Sequence, residues 1–419
     1  MRENVNKGRH WFKLIALSAV LVSAQSSLGA GTDPGGTAAG NTVSNQATLD
    51  YQVGGVSQTQ VLSDNDGNPI NGNNATTFVV DRKLDSSIVE RSTGYNSATT
   101  PTVGPGMAQG GGSTGAVLAY TLTNEGNEVQ DFTFTATATT FDPFGGTDNF
   151  DATNVNVFVD ADGDGVYDPA VDTATFVDEL DYVGNAGGNP SSIVVFVVGD
   201  IPIGRVNGDI AAYVLNAQVA EGGAAGVGAD ITSDDSGTAD DPATVQDVFA
   251  DGANANNGAD ADRDGISSIE DAFLVGAPEL SIAKSSGVIA DPFTCPGFPV
   301  TACPGGANPK AIPGGIIEYT ITVSNAPGSA SATSINVADD LTSEILGGGG
   351  TEAIDFVSGQ YGGNDIELTT IVGGVPTVTN LTAASDGDVG QFVANVLAVS
   401  VASLAAGDSA EVRFRVEIQ

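Results

Sequence analysis

Apolar and polar residues alternate along most of this chain. In Val117–Thr123 (VLAYTLT), Leu118, Tyr120 and Leu122 fall on one face. In Ile316–Val323 (IIEYTITV), Ile317, Tyr319, Ile321 and Val323 share a face, with Glu318, Thr320 and Thr322 opposite. Asp131–Thr139 offers Phe132, Phe134 and Ala136 to one side, and Glu411–Ile418 offers Val412, Phe414, Val416 and Ile418. A period of two places one row of side chains in a core and leaves the other in water, which is the pattern of half-buried strands. Helical periodicity is nearly absent, and Gly- and Asn-rich turns recur at short intervals. The pattern predicts an all-β chain of sandwich type.

The alternating segments also repeat. Leu118-Ala-Tyr-Thr-Leu-Thr-Asn124 matches Ile317-Glu-Tyr-Thr-Ile-Thr-Val-Ser-Asn325, and Lys83–Ile88 loosely matches Glu279–Ile282. Ile201-Pro-Ile-Gly204 followed by Tyr213–Val219 matches Leu404-Ala-Ala-Gly407 followed by Val412–Ile418. First, middle and last strands matched at one spacing predict two copies of one sandwich, at residues 78–220 and 277–419. Residues 31–77 are expected to form a short β-hairpin segment that packs on the first sandwich. Residues 221–276 read as an acidic, Gly/Asp-rich linker between the copies, with Val245–Phe249 as its one apolar anchor.

Leu280-Ser-Ile-Ala-Lys284, Ile312-Pro-Gly-Gly-Ile-Ile-Glu-Tyr-Thr-Ile-Thr-Val-Ser-Asn325, Asn336-Val-Ala-Asp339-Asp-Leu341 and Leu404-Ala-Ala-Gly407 together resemble the bacterial conserved repeat called domain of unknown function eleven. Gly40-Asn-Thr-Val-Ser-Asn-Gln-Ala47 with Tyr51 is similar to a segment that accompanies such repeats. The resemblance covers the C-terminal third well and the middle third weakly. It implies tandem immunoglobulin-like β-sandwiches in exported or cell-surface bacterial proteins, with structural or adhesive roles. It implies no catalytic residues. The long acidic insertion between the copies departs from the family pattern.

The N-terminus reads as an export signal at residues 1–30. Arg2, Lys7, Arg9 and Lys13 precede an apolar run, Leu14–Ser23, and then small residues up to Ala30. The run is too short for a membrane span, and no second one reaches that length. Cleavage is expected after Ala30 or after Ala24. Removal of residues 1–30 leaves nine basic against 51 acidic residues, net −42, where the full chain has −39. Such a charge repels nucleic acid and anionic membrane surfaces. The chain's one His and one Trp, His10 and Trp11, leave with the signal. A His-dependent nucleophile system and a His-ligated metal site are thereby excluded. A sugar-stacking platform loses its best residue.

Two segments carry recognisable chemistry. Asp160-Ala-Asp162-Gly-Asp164-Gly165 leads on to Asp168 and Asp172; Asp260-Ala-Asp262-Arg-Asp264-Gly265 leads on to Ser268 and Asp271. Asp at first, third and fifth places followed by Gly wraps a short backbone around one hard cation. Oxygen-only ligands select Ca²⁺ over softer metals. In the second segment Asp271 stands twelfth, where a closing carboxylate belongs, with Ser268 in the water-mediated place and a short exit helix expected over Ser267–Val275. In the first, Asp168 takes the water-mediated place and Asp172 the closing one, one position late, after a strand at residues 156–159. Neither loop closes on Glu, so affinity is expected on the order of 10⁻⁴–10⁻³ M.

Cys295 and Cys303 are expected to close a local disulfide, as exported pairs do. These features together predict a non-enzymatic exported protein of the cell surface or extracellular matrix, a Ca²⁺-stiffened spacer or self-association module. Its partners would be surface components or copies of itself. A glycan-binding, adhesin-like module is the alternative. Acidic residues are plentiful enough for a carboxylate-pair hydrolase, but no spacing singles out a pair.

Overall fold

The computed structural model describes residues 36–65, 74–91, 103–110, 115–140, 147–185, 190–253, 260–295, 303–345 and 353–419. The expected export signal, residues 1–30, lies outside them. Strands dominate, and the one helix among the described residues is a single turn, α1 (Thr342–Ile345). No helix there is long and apolar enough to cross a membrane.

The N-terminal segment is one long hairpin. Strands β1 (Thr42–Asn45), β2 (Thr48–Leu49), β3 (Gln52–Val53), β4 (Val56–Ser57), β5 (Val61–Leu62) and β6 (Thr76–Val79) nest as pairs β1–β6, β2–β5 and β3–β4. Gly54 and Gly55 turn it at φ +60° and +87°. Two consecutive positive φ values are what a tight hairpin needs and what glycine supplies without a steric penalty. The hairpin meets the rest of the protein at its base, where Ala39 N–H reaches the Asn127 carbonyl at 3.1 Å and Val79 N–H the Pro242 carbonyl at 3.0 Å. Leu49, Tyr51, Val53 and Val56 stand exposed towards the tip. The expected packing on the first sandwich is thus confined to the base.

The first sandwich contains β7 (Arg82–Leu84), β8 (Ser86–Glu90), β9 (Val117–Asn124), β10 (Gln130–Thr139), β11 (Thr153–Val159), β12 (Phe176–Leu180), β13 (Ser192–Asp200), β14 (Ile210–Glu221), β15 (Asp247–Phe249) and β16 (Ile266–Leu274). One sheet runs β12-β10-β14-β16 and the other β11-β13-β9-β8. Between them lie Leu118, Tyr120, Leu122, Phe132, Val195, Val197, Tyr213, Leu215 and Phe273. The alternation read from the sequence is the alternation observed.

Two expectations fail here. Ser267–Val275 is not a helix: β16 pairs along β14 from Ile210↔Leu274 to Gln218↔Ile266. Ser267, Ile269, Asp271 and Phe273 share one face of the strand, and Phe273 fills the core. The long free edge of β14 outweighs the helix-capping signal of Ser267. The first sandwich therefore does not end at residue 220; it draws its last strand from the expected linker. β15 also docks from that linker, parallel to β7, and buries Phe249.

The second sandwich contains β17 (Leu280–Ala290), β18 (Ile316–Asn325), β19 (Ala332–Asp340), β20 (Ile354–Phe356), β21 (Ile366–Val372), β22 (Val375–Leu381), β23 (Gly390–Val393), β24 (Val396–Leu404) and β25 (Ser409–Ile418). Its sheets are β17-β18-β25-β21-β22, with β20 also on β25, and β19-β24-β23. Ile321, Val323, Leu368, Leu397, Val399, Val412 and Phe414 fill the space between.

The two sandwiches are not copies in their pairing. β14 follows the Ile201–Gly204 turn and joins β10, whereas its sequence counterpart β25 joins β18. Alternation specifies a buried face but not the neighbouring strand. What does repeat is the corner. Asn124 and Asn325 end β9 and β18, and each is buried. Asn124 Nδ2 donates to the Leu180 carbonyl and Asn325 Nδ2 to the Leu404 carbonyl, both at 3.1 Å and both on the facing sheet.

The Cys295–Cys303 disulfide forms as expected, with Cα atoms 5.1 Å apart. Beside it Asp291 accepts N–H groups from Phe293, Thr294 and Lys310 at 2.7–2.8 Å.

Candidate metal centre

The first acidic loop is moored by an aromatic side chain. Tyr167 is buried against the outer face of the β11-β13-β9 sheet, 5.5 Å from Phe158 and 5.7 Å from Phe196 between ring centroids. This anchor holds the centre of the loop that runs from β11 to β12. Asp160 accepts Gly163 N–H and Gly165 N–H, one on each carboxylate oxygen, both at 2.8 Å. Asp172, only 1% exposed, accepts Ala161 N–H at 2.8 Å and Asp168 N–H at 2.7 Å. The backbone thus winds around two carboxylates, with Gly163 and Gly165 at φ +76° and +77°. A Cβ on Gly165 would also collide with the guanidinium of Arg91, which donates to the Gly165 carbonyl at 3.1 Å.

Oxygens of Asp160, Asp162 and Asp172 lie within 4.8 Å of one another. Burial raises the Asp160 carboxyl above its usual range, and the charges of Asp172 and Asp162 add to that; the two glycine N–H groups oppose it. Three hard oxygen donors crowded to this degree fit one divalent cation. Asp164 and Asp168 are not part of the gathering. Asp164 Oδ1 accepts Val166 N–H at 2.7 Å, and Asp168 Oδ1 accepts Ala170 N–H at 2.9 Å, each shaping its own turn.

The second loop is assembled differently. Asp251, nine positions before the motif, does what Asp160 does in the first loop: it accepts Asp264 N–H at 3.2 Å and Gly265 N–H at 3.1 Å. Asp260 Oδ1 instead accepts Ser268 N–H at 2.7 Å, and Ser268 Oγ donates to Asn216 Oδ1 at 2.6 Å. Asp262 is exposed, and Asp264 Oδ1 accepts Ile266 N–H at 3.0 Å. Asp271 is carried into the sandwich by β16. There its charge adds to burial in pushing the Tyr120 hydroxyl far above its ordinary pKa. Among the described residues no three carboxylates of this set gather as the first loop's do. The strand that replaces the expected helix points Ser268 and Asp271 to opposite faces, so they do not close the loop together.

A second gathering has no signal in the sequence. Oxygens of Asp131, Asp178 and Glu179 come within 4.8 Å where β10 and β12 pair through a bulge. Asp131 is buried and accepts Glu179 N–H and Gly228 N–H, both at 2.8 Å. The Gly228 bond, with one from Gly226 N–H to Asp178 Oδ2 at 2.9 Å, fastens the 222–228 loop to the sheet.

No family model matches the chain, and no curated protein does. Among solved structures, it is similar to the full-length major pilin SpaD from Corynebacterium diphtheriae. Identity is 15% and the TM-score 0.18, over 69% of this chain and 52% of that one. The chain therefore spans about half the length of that pilin. A structure described as a chaperone–tip adhesin complex of CFA/I fimbriae biogenesis aligns at 9% identity and a TM-score of 0.17, over 79% of this chain and 78% of that one. Overlap at these scores carries no argument about what this chain does.

Proposed function

We propose that this is an exported, non-enzymatic structural protein of the cell surface or extracellular matrix, stiffened by Ca²⁺ in the Asp160 loop. The gathered oxygens of Asp160, Asp162 and Asp172 carry the reading. The acidic balance suits a cation-rich exterior, the N-terminal pattern suits export, and the sandwiches suit spacers or self-association modules. The absence of His and Trp after signal removal supports a mechanical rather than a catalytic role.

A ligand that binds only the folded state raises its melting temperature. Melts of the chain lacking residues 1–30, followed by circular dichroism in millimolar Ca²⁺, in Mg²⁺ and in chelator, test the reading. Ca²⁺ raises the midpoint, Mg²⁺ does not, and Asp160→Ala abolishes the rise while Asp262→Ala preserves it. Equal midpoints in Ca²⁺ and chelator would overturn the calcium reading.

A further inference from the structure

We propose that the open edge of β17 pairs, antiparallel and about a two-fold axis, with β17 of a second copy of this chain. The inference gives the self-association part of the proposed function a surface and rests on that part; it does not depend on calcium. Among the described residues β17 pairs with β18 alone, and its other edge presents unpaired N–H and C=O groups as far as Val288; beyond that the Ile289 carbonyl accepts Cys303 N–H at 2.9 Å. Among the described residues the facing sheet has three strands against six, and it meets β17 where Asp339 of β19 holds Lys284. Before that point the inward row overhangs. Leu280 and Ile282, which lie across from Asn325 and Val323, are 47% and 66% exposed.

Edges of this kind are normally guarded by an inward-pointing charge. Lys284 has that position, yet its ammonium is bound to Asp339 at 2.5 Å and lies 4.4 Å from the Tyr319 ring centroid. Its charge is neutralised and turned onto its own sandwich. The chain carries 52 acidic residues, and Leu280–Ala290 contains none. Two copies can approach here without the repulsion that their net charge imposes elsewhere.

The strand is also complementary to itself. A two-fold axis at Ser285 places Ile282 opposite Val288 of the second copy, Ala283 opposite Gly287, and Lys284 opposite Ser286. An axis one residue earlier would set Ile282 against Ser286 of the second copy and lose its apolar partner. Paired residues in antiparallel strands have Cα atoms about 4.5–5.5 Å apart. The two Ser285 residues would fall within the reach of a disulfide. The two Ser281 residues would be about 26 Å apart at ~3.3 Å per residue.

Sedimentation velocity of the chain lacking residues 1–30, with and without chelator, measures the association. Ser285→Cys and Ser281→Cys variants under mild oxidation read its register, since both native cysteines are already bonded to each other. The expected result is a concentration-dependent dimer in both conditions, covalent capture through Cys at 285 and not at 281, and a more than about tenfold weaker dimer for Ile282→Asp, whose melting temperature matches the parent's at concentrations where the parent is monomeric. A chain monomeric at every concentration would overturn the pairing, as would capture at 281 equal to that at 285. So would an Ile282→Asp variant that dimerises like the parent. None of these three outcomes changes the calcium melt, so the two readings fall separately.

Discussion

Asp251 Oδ1 accepts the backbone N–H of Gly265 at 3.1 Å, across fourteen positions of chain. That bond, with its companion from Asp264 N–H to Oδ2, fixes the turn that delivers β16 to the first sandwich. Asp251 is 2% exposed, so loss of its carboxylate leaves two donors without an acceptor. Asp251→Ala is expected to cost about 1–3 kcal/mol. The exposed Asp262→Ala should stay within about 0.5 kcal/mol. Urea midpoints of the two variants check this, and equal midpoints would remove Asp251 from its structural role.

Arg82 is the clasp between the linker and the first sandwich. Its guanidinium meets Asp247 at 2.6 Å, Glu221 at 2.5 Å and Glu128 at 3.7 Å. Burial works against its charge, but the hydrogen bonds to Asp247 and Glu221 outweigh that and raise its pKa. Arg82→Ala leaves three carboxylates facing one another. The expected loss is about 2 kcal/mol, between the values for exposed and for buried pairs. Limited proteolysis should then cut within residues 222–248 faster than in the parent.

Asn325 ties β18 to the facing sheet and also accepts Glu279 N–H at 3.0 Å, close to the junction of the sandwiches. Asn325→Ala is expected to destabilise the second sandwich by about 1–3 kcal/mol. Hydrogen exchange at the Glu279 amide should accelerate while the amides of β9 keep their protection. Uniform acceleration across both sandwiches would contradict a local corner.

Asp291 responds to acid. The Thr294 hydroxyl and the N–H groups of Lys310, Thr294 and Phe293 hold its carboxyl down, at about 2. An unfolded Asp titrates near 3.9, at about that value in model peptides. Folding therefore favours the ionised form, and the contribution is fully present above that pH. It is lost as pH falls through the folded value. Acid unfolding of Asp291→Asn, followed by circular dichroism, should lack this component between about pH 4 and pH 2. An acid transition identical to the parent's would refute it.

The alternation in 117–123 and 316–323 identified β9 and β18 and their core faces, because a period of two is a property of the strand itself. The winding of the Asp160 loop was legible for a similar reason: its carboxylates and its glycines are neighbours, so the turn is written locally. The Asp260 motif has the same opening letters, yet β16 sends Asp271 into the core and Asp251 takes the place at the turn. Nothing in its spacing shows a hydrogen-bond acceptor nine residues upstream. Asp131 and Glu179 are separated by most of a sandwich and meet only because β10 and β12 pair.

By itself, then, the sequence determined most of the strand content, the inward rows, the disulfide and the position of the first acidic loop. All of these follow from side-chain period or from residues a few positions apart. Tertiary structure decided which strands are neighbours, so β14 joined β10 while β25 joined β18. It also decided that residues 266–274 form a strand rather than a helix, because a free edge beside an unfilled core outweighs a local cap. Finally, among the described residues, it left β17 paired on one side only, since sheet width depends on how many strands each face recruits, and no alternation pattern records that number.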